Sequence, residues 1–221
     1  MSAQVAWSYS RLASYETCPR KFWAESVGKT VPFVKSEQAA YGDEVHLAFK
    51  DYFKSGTPLP LHLRHFEKII APIAKAPGVK SIEQKICLNA SWEVVDWFAK
   101  DAYLRVISDL TQLNGTHGVL WDWKTGKPKD DFTQLRLNAA VTFHLAPEIQ
   151  TATVAFLWLQ TKKVAPLKMV RADATDVWAE LLPRVAKYQE AHVKQDFPPR
   201  QNFLCRGWCQ VSTCQFWEKK R

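Results

Sequence analysis

The sequence predicts an α/β protein, a mixed β-sheet flanked by helices, with a helical N-terminal part and a Cys-rich C-terminal tail. Three observations carry that expectation. Apolar residues recur at helical spacing in the first third of the chain. Short extended runs then dominate, with one helical stretch among them. A long helical pattern finally leads into a segment crowded with Cys and aromatic residues. We read the 221 residues as one domain with a helical part over 1–78, a sheet core over 79–171 and a helix plus tail over 172–221.

Ser8 and Ser10 are capping residues for a first helix from about Arg11 to Ala24, with Leu12, Tyr15 and Phe22 on one face. A second helix is expected from Ser36 to about Phe53, where Val45, Ala48, Phe49 and Phe53 share a stripe. A third spans His62 to Ala74. After Pro77-Gly78, SIEQKICLN alternates Ile82, Gln84, Ile86 and Leu88 against Glu83, Lys85 and Cys87, the pattern of a strand. Extended runs over 102–113 and 118–124 flank Asn114-Gly115, which marks a hairpin because a tight turn needs positive φ at its centre. A helix over about 131–145, strands over 151–160 and 165–170, and a long helix over 172–194 complete the order.

Composition narrows the function. With 47% hydrophobic and 24% charged residues the chain is no disordered segment, and ten Trp with twelve Phe are many for this length. MSAQVAWSYS lacks a basic stretch followed by an apolar one, and no later stretch approaches 18 uninterrupted apolar residues. We therefore expect a cytoplasmic protein, in the host cytoplasm if viral, with no membrane partner. A net charge of +8 fits a polyanionic partner such as nucleic acid, or simply a basic solvated surface. No Gly-x-x-x-x-Gly-Lys-Ser/Thr loop is present, so the chain carries no phosphate-binding loop of a helicase motor. The five cysteines, an odd count, argue against a disulfide framework and leave metal binding or buried thiols.

VLWDWKTGK, residues 119–127, ends an apolar run in charge. A buried carboxylate or ammonium is costly unless something binds it, so Asp122 and Lys124 need a reason. The hairpin brings Asp109 beside Asp122, and Lys124, two residues on, shares the face of Asp122. Two carboxylates with an adjacent cation make a metal site suited to phosphodiester hydrolysis. The metal acidifies water and neutralises phosphate charge, while the ammonium orients the nucleophile or stabilises the transition state. Solvated hairpin charges are the structural alternative.

VISD at 106–109 with DWK at 122–124 resembles the PD-(D/E)xK nuclease superfamily, and more particularly its RecB-like exonuclease branch, to which the CRISPR-adaptation exonucleases belong. SYSRLASYETCPRKFW is similar to that branch's Ser, Leu and Cys-Pro signature, YGDEVHLAF to its Gly-x-x-x-His-x-x-Phe helix, and DWKTGK to its central motif. The resemblance implies a restriction-endonuclease-like core and divalent-metal-dependent DNA hydrolysis. Asp109, Asp122, His46 and the main-chain carbonyl of Trp123 would hold Mg²⁺ or Mn²⁺, with Glu83 as a further acid. Lys124 would position the water and Gln134 would contact DNA or the lysine. Where the family has Gly and Tyr this chain has Val106 and Asn138.

The resemblance further implies a 4Fe-4S cluster on Cys18, Cys205, Cys209 and Cys214. The late spacing is one residue longer than usual, and four thiolates also suit Zn²⁺ or no metal at all. Cys87 reads as a packed thiol. The implied substrate is single-stranded or end-containing DNA in phage-type recombination, repair or processing, met by Arg20, Lys21, Lys127, Lys129 and Arg136, with Trp7, Trp23 or Trp208 as stacking platforms. A structure-specific endonuclease and a non-catalytic DNA-binding module with a structural cluster are the rival readings.

Overall fold

The computed structural model describes residues 5–32 and 35–219; residues 1–4, part of the opening segment read above, lie outside them. Five strands, β1 (Val79–Leu88), β2 (Leu104–Asn114), β3 (His117–Lys124), β4 (Thr151–Trp158) and β5 (Lys163–Val170), form one sheet in that order. β2 and β3 are antiparallel, β3 and β4 parallel, and β4 and β5 antiparallel. The sheet is therefore mixed, as expected. The parallel step needs a crossover, and α5 (Thr133–Leu145) supplies it, packing on both β3 and β4. Among the described residues no helix is long and apolar enough to cross a membrane.

The chain divides into two compact units. One takes Met1–Val34, Cys87–Arg105 and Glu180–Arg221, and the other Lys35–Ile86 and Val106–Ala179. In the second unit, α3 (Glu37–Ser55) starts at Ser36, whose side chain accepts from the Ala39 N–H, and ends at Gly56 in the left-handed conformation. Val45 and Phe49 of α3 pack with Leu63, Phe66 and Ile70, and with Leu110, Trp123 and Leu157 from three strands. Leu63 and Phe66 come from a 3₁₀ turn over Leu61–Phe66 and Ile70 from α4 (Glu67–Lys75), so the single helix expected over 62–74 is two pieces.

In the first unit, α1 (Tyr9–Thr17) is capped by Ser8, which accepts from the Arg11 N–H; Ser10 lies inside the helix. The continuous helix expected to Ala24 does not form. Cys18 is extended because Pro19 clashes with a helical residue before it, and Pro19 then opens a short α2 (Pro19–Phe22) that passes into a π turn over Trp23–Val27. Most of α6 (Ala174–Lys194) belongs here too. Its Arg184 grips the Glu16 carboxylate with two hydrogen bonds of 2.7 Å.

Two further expectations are corrected. The hairpin turn is Gly115-Thr116, with Asn114 paired to His117 at the strand ends; the positive φ falls on Gly115. β1 does not alternate, since Ile86, Cys87 and Leu88 are all buried in succession. Glu83, with φ of 50°, breaks the pleat three residues before Ile86, and that break undoes the period-two pattern.

Candidate active site

β3 reads Trp121-Asp122-Trp123-Lys124, and alternation sends the two aromatics one way and the two charges the other. Trp123 lies in the core, edge-on to Phe49 and stacked on Phe53, with 5.6 Å between centroids in each pair. Its backbone serves the polar side. The Trp123 N–H donates to Asp109 Oδ2 at 2.8 Å, and its carbonyl oxygen lies 3.1 Å from His46 Nε2. Burying the indole thus fixes the height of two main-chain groups. Gly42, one turn before His46, permits this approach, since a Cβ there would stand 3.3 Å from Thr125 Oγ1.

Two polar groups result. In one, Lys124 Nζ lies 2.7 Å from Asp122 Oδ2 and donates to Gln134 Oε1 at 3.2 Å, while Gln134 Nε2 donates to Asp122 Oδ1 at 3.2 Å. The Phe156 ring sits beneath the ammonium at 5.5 Å. Burial, followed by the charge of Asp109, raises Asp122 to about 7 against the pull of Lys124 and His46. Asp122 Oδ2 is buried without an aligned hydrogen-bond donor, and the Lys124 ammonium stands beside it.

In the other group, His46 Nδ1 lies 3.3 Å from Asp109 Oδ1 and 3.7 Å from Glu83 Oε1. Both ring nitrogens face acceptors, an arrangement that favours the protonated imidazole. Burial opposes that charge, but hydrogen bonds to Asp109 and Glu83 outweigh it and raise His46 to about 10. The left-handed backbone at Glu83 aims its carboxylate into this group.

The structure therefore brings together His46, Glu83, Asp109, Asp122, the Trp123 carbonyl, Lys124 and Gln134. Sequence reading gave no role to Phe156 or Asn138. Asn138 is buried and its amide donates to the Ile107 carbonyl at 3.3 Å, tying α5 to β2 two residues before Asp109. The candidate DNA contacts are dispersed. Lys127 and Lys129 are exposed beyond β3, and Arg136 is half-buried on α5. In the other unit, Arg20 lies over Trp23 at 5.3 Å and Lys21 pairs with Glu25 at 2.6 Å. Trp208 is largely exposed, whereas Trp7 is fully buried against Tyr103 and offers no stacking platform.

The four cysteines expected to act together all fall in the first unit and none forms a disulfide. The Arg200 N–H donates to Cys18 Sγ at 3.4 Å, fastening the tail to the bend between α1 and α2. Burial raises the Cys209 thiol, and the neighbouring thiols of Cys18 and Cys205 add to the effect. Cys214 is half-buried. No three of these sulfurs lie within 4.8 Å of one another. Cys87 is a buried thiol, as expected.

A mixed sheet whose hairpin presents two buried carboxylates and a lysine, crossed by a helix bearing glutamine, defines a nuclease of the metal-dependent kind. The chain belongs to the PD-(D/E)XK nuclease superfamily, whose sequence profile matches residues 6–215. The crystal structure of a "Putative exonuclease" from Eubacterium rectale is similar, with a TM-score of 0.53 at 11% identity over 95% of this chain and 86% of that one. That of SSO0001 has a TM-score of 0.47 at 15% identity over 97% and 87%. The first likeness speaks to fold. No curated protein matches the chain.

The superfamily implies a divalent metal, and the donor set fits one. Three carboxylates, a carbonyl and an imidazole are ligands for Mg²⁺ or Mn²⁺. One ligand atom each from His46, Glu83 and Asp109 falls in a group within 4.8 Å. Asp109 and Asp122 are buried carboxylates with Glu83 close by, a concentration of negative charge that a divalent cation would offset.

Proposed function

We propose that the protein is a divalent-metal-dependent DNA exonuclease of the RecB-like branch, hydrolysing phosphodiester bonds in single-stranded or end-containing DNA. The observation that carries this reading is the contact of Lys124 with both Asp122 and Gln134, beside the cluster of His46, Glu83 and Asp109. His46, Glu83, Asp109, Asp122 and the Trp123 carbonyl hold Mg²⁺ or Mn²⁺. When bound, the ion neutralises charge at the scissile phosphate and acidifies the water near it. Lys124, fixed on two sides, orients that water and keeps a positive charge next to the phosphate as charge develops. Gln134 holds the ammonium in place, so its role is positioning.

Cys18, Cys205, Cys209 and Cys214 form the site of a 4Fe-4S cluster in this reading, which the fastening of Cys18 to Arg200 in the tail supports. Its role is to clip the tail to the helix junction, closing a long loop. Zinc is the other occupant the four thiolates suit. Iron and sulfide analysis of anaerobically purified protein decides between them, and Cys205→Ala should lower the melting temperature together with the bound metal. The setting we assign is phage-type recombination, repair or DNA processing in the cytoplasm.

Wild type and Lys124→Ala, incubated with 5′- and 3′-labelled single- and double-stranded DNA in Mg²⁺, Mn²⁺ or EDTA, test the activity and read its polarity. Closed circular DNA in the same reaction separates the endonuclease reading, because a strict exonuclease spares circles. DNA binding without metal-dependent cleavage of any substrate would leave the binding-module reading instead.

A further inference from the structure

The cluster of His46, Glu83 and Asp109 forms the floor of an open cavity of about 390 Å³, whose remaining lining is Asp43, Leu47, Lys50 and Ile107. That volume is in the range of sites for one small ligand. Metal chemistry accounts for His46, Glu83 and Asp109, and Asp43 pairs with Lys35, which leaves three side chains unexplained. Leu47 is 56% exposed and Ile107 is 41% exposed, large apolar side chains standing in water beside carboxylates. Helical spacing places Leu47 next to His46 and Lys50 one turn further, about 5.4 Å along the axis. Strand spacing places Ile107 on the same face as Asp109, and the Asn138 amide holds its carbonyl. Lys50 is half-buried and, among the described residues, makes no ion pair or hydrogen bond. It remains unpaired although Asp43, Glu83 and Asp109 line the same cavity.

An apolar pair beside an unpaired ammonium matches one nucleotide of a nucleic acid strand, with an apolar base face at one end and an anionic phosphate at the other. We propose that Leu47 and Ile107 seat one base of the strand being cut, next to the scissile phosphate, and that Lys50 takes the adjoining phosphate. This rests on the nuclease reading and deepens it. Apolar side chains reach a base face only where that base is unstacked, as in a single strand or a frayed end, and aliphatic side chains do so elsewhere as wedges between base steps. The seat therefore selects unpaired nucleotides, and it does so within a few ångströms of the acids.

The test is a cycle between protein and DNA. Fluorescently labelled single-stranded 12-nucleotide DNA carries one abasic residue, moved through each position, and binding to wild type and to the Leu47→Ala/Ile107→Ala double variant is measured by anisotropy in EDTA and in Ca²⁺. At one position the abasic residue should weaken wild-type binding about fivefold or more, within the range for one stacked base. The double variant should lose a similar factor on intact DNA and nothing further at that position. Lys50→Gln should flatten the dependence of log affinity on log salt by about 0.7, the value for one single-strand phosphate contact. A far-ultraviolet dichroism spectrum and melting curve of the double variant matching wild type guard against a folding defect. Losses that simply add at every position, an unchanged salt slope, or no DNA binding at all would overturn the proposal. Cleavage by wild type with additive losses would overturn the seat and leave the nuclease reading standing. A non-additive position with no cleavage in Mg²⁺ or Mn²⁺ would keep the seat and remove the nuclease.

Discussion

The Lys124 ammonium lies 2.7 Å from Asp122 Oδ2, and Gln134 bridges the two residues with a hydrogen bond to each. The lysine is thus anchored by a carboxylate two residues earlier on its own strand and by an amide on the crossover helix. A long flexible side chain loses its freedom here, as a positioned catalytic group must.

Replacing Lys124 or Asp122 by Ala should reduce metal-dependent DNA cleavage by about 1,000-fold, the scale for removing a group that meets developing charge, while DNA affinity changes little. Gln134→Ala should cost less, about 10- to 100-fold in kcat with KM unchanged, because it misplaces the ammonium without removing it. Single-turnover cleavage alongside a binding titration measures both. If DNA binding and the far-ultraviolet dichroism disappear with the Asp122 carboxylate, the residue is structural.

Divalent metal should stabilise the fold. An ion present at 100 times its Kd contributes about 2.7 kcal/mol by mass action. Mg²⁺ or Mn²⁺ should therefore raise the wild-type melting temperature over EDTA, and Asp109→Asn should abolish most of the rise. A rise of the same size in that variant would place the ion elsewhere.

Acid should weaken the first unit through His192. This imidazole is buried among Tyr188, Phe197 and Phe22, and its Nε2 has no partner. Burial lowers its pKa, and the Arg11 guanidinium lowers it further. The folded state then binds fewer protons than the unfolded state below an unfolded value of about 6.5. Stability from this group is full above that pH and declines as pH falls from there towards the depressed folded value. Thermal melts at pH 7.5 and 5.5 should show a larger acid loss for wild type than for His192→Phe, which cannot take up the proton. Equal losses would assign the acid sensitivity to other groups.

Gly78→Ala should destabilise the protein by about 1–3 kcal/mol. The residue has φ of 114°, and a Cβ would stand 2.7 Å from the Leu113 carbonyl oxygen, a backbone atom with no rotamer to yield. Chemical denaturation of the variant measures the change, and a midpoint equal to wild type would refute the clash.

The sheet and its helices were legible because their signals are local. Ser8 and Ser36 cap the helices expected to follow them, and the turn chemistry near Asn114-Gly115 placed the hairpin to within one residue. Misses came where a single residue overrode a periodic pattern. Pro19 bent the first helix at Cys18, and the left-handed Glu83 ended the alternation of β1. Trp7 looked like any other surface-capable aromatic, and its burial against Tyr103 depends on a partner nearly a hundred residues away.

By itself the sequence determined the order of elements and the alternation that separates Asp122 and Lys124 from Trp121 and Trp123, since both follow from the fixed geometry of strands and helices. Tertiary structure alone decided that His46 bridges Asp109 and Glu83, that Gln134 spans Asp122 and Lys124, and that Leu47, Lys50 and Ile107 share one cavity. Those distances depend on how α3, α5 and β1 seat against the hairpin. The seating is set by packing around Phe49 and Trp123, an interaction between residues far apart in the chain that no local period encodes.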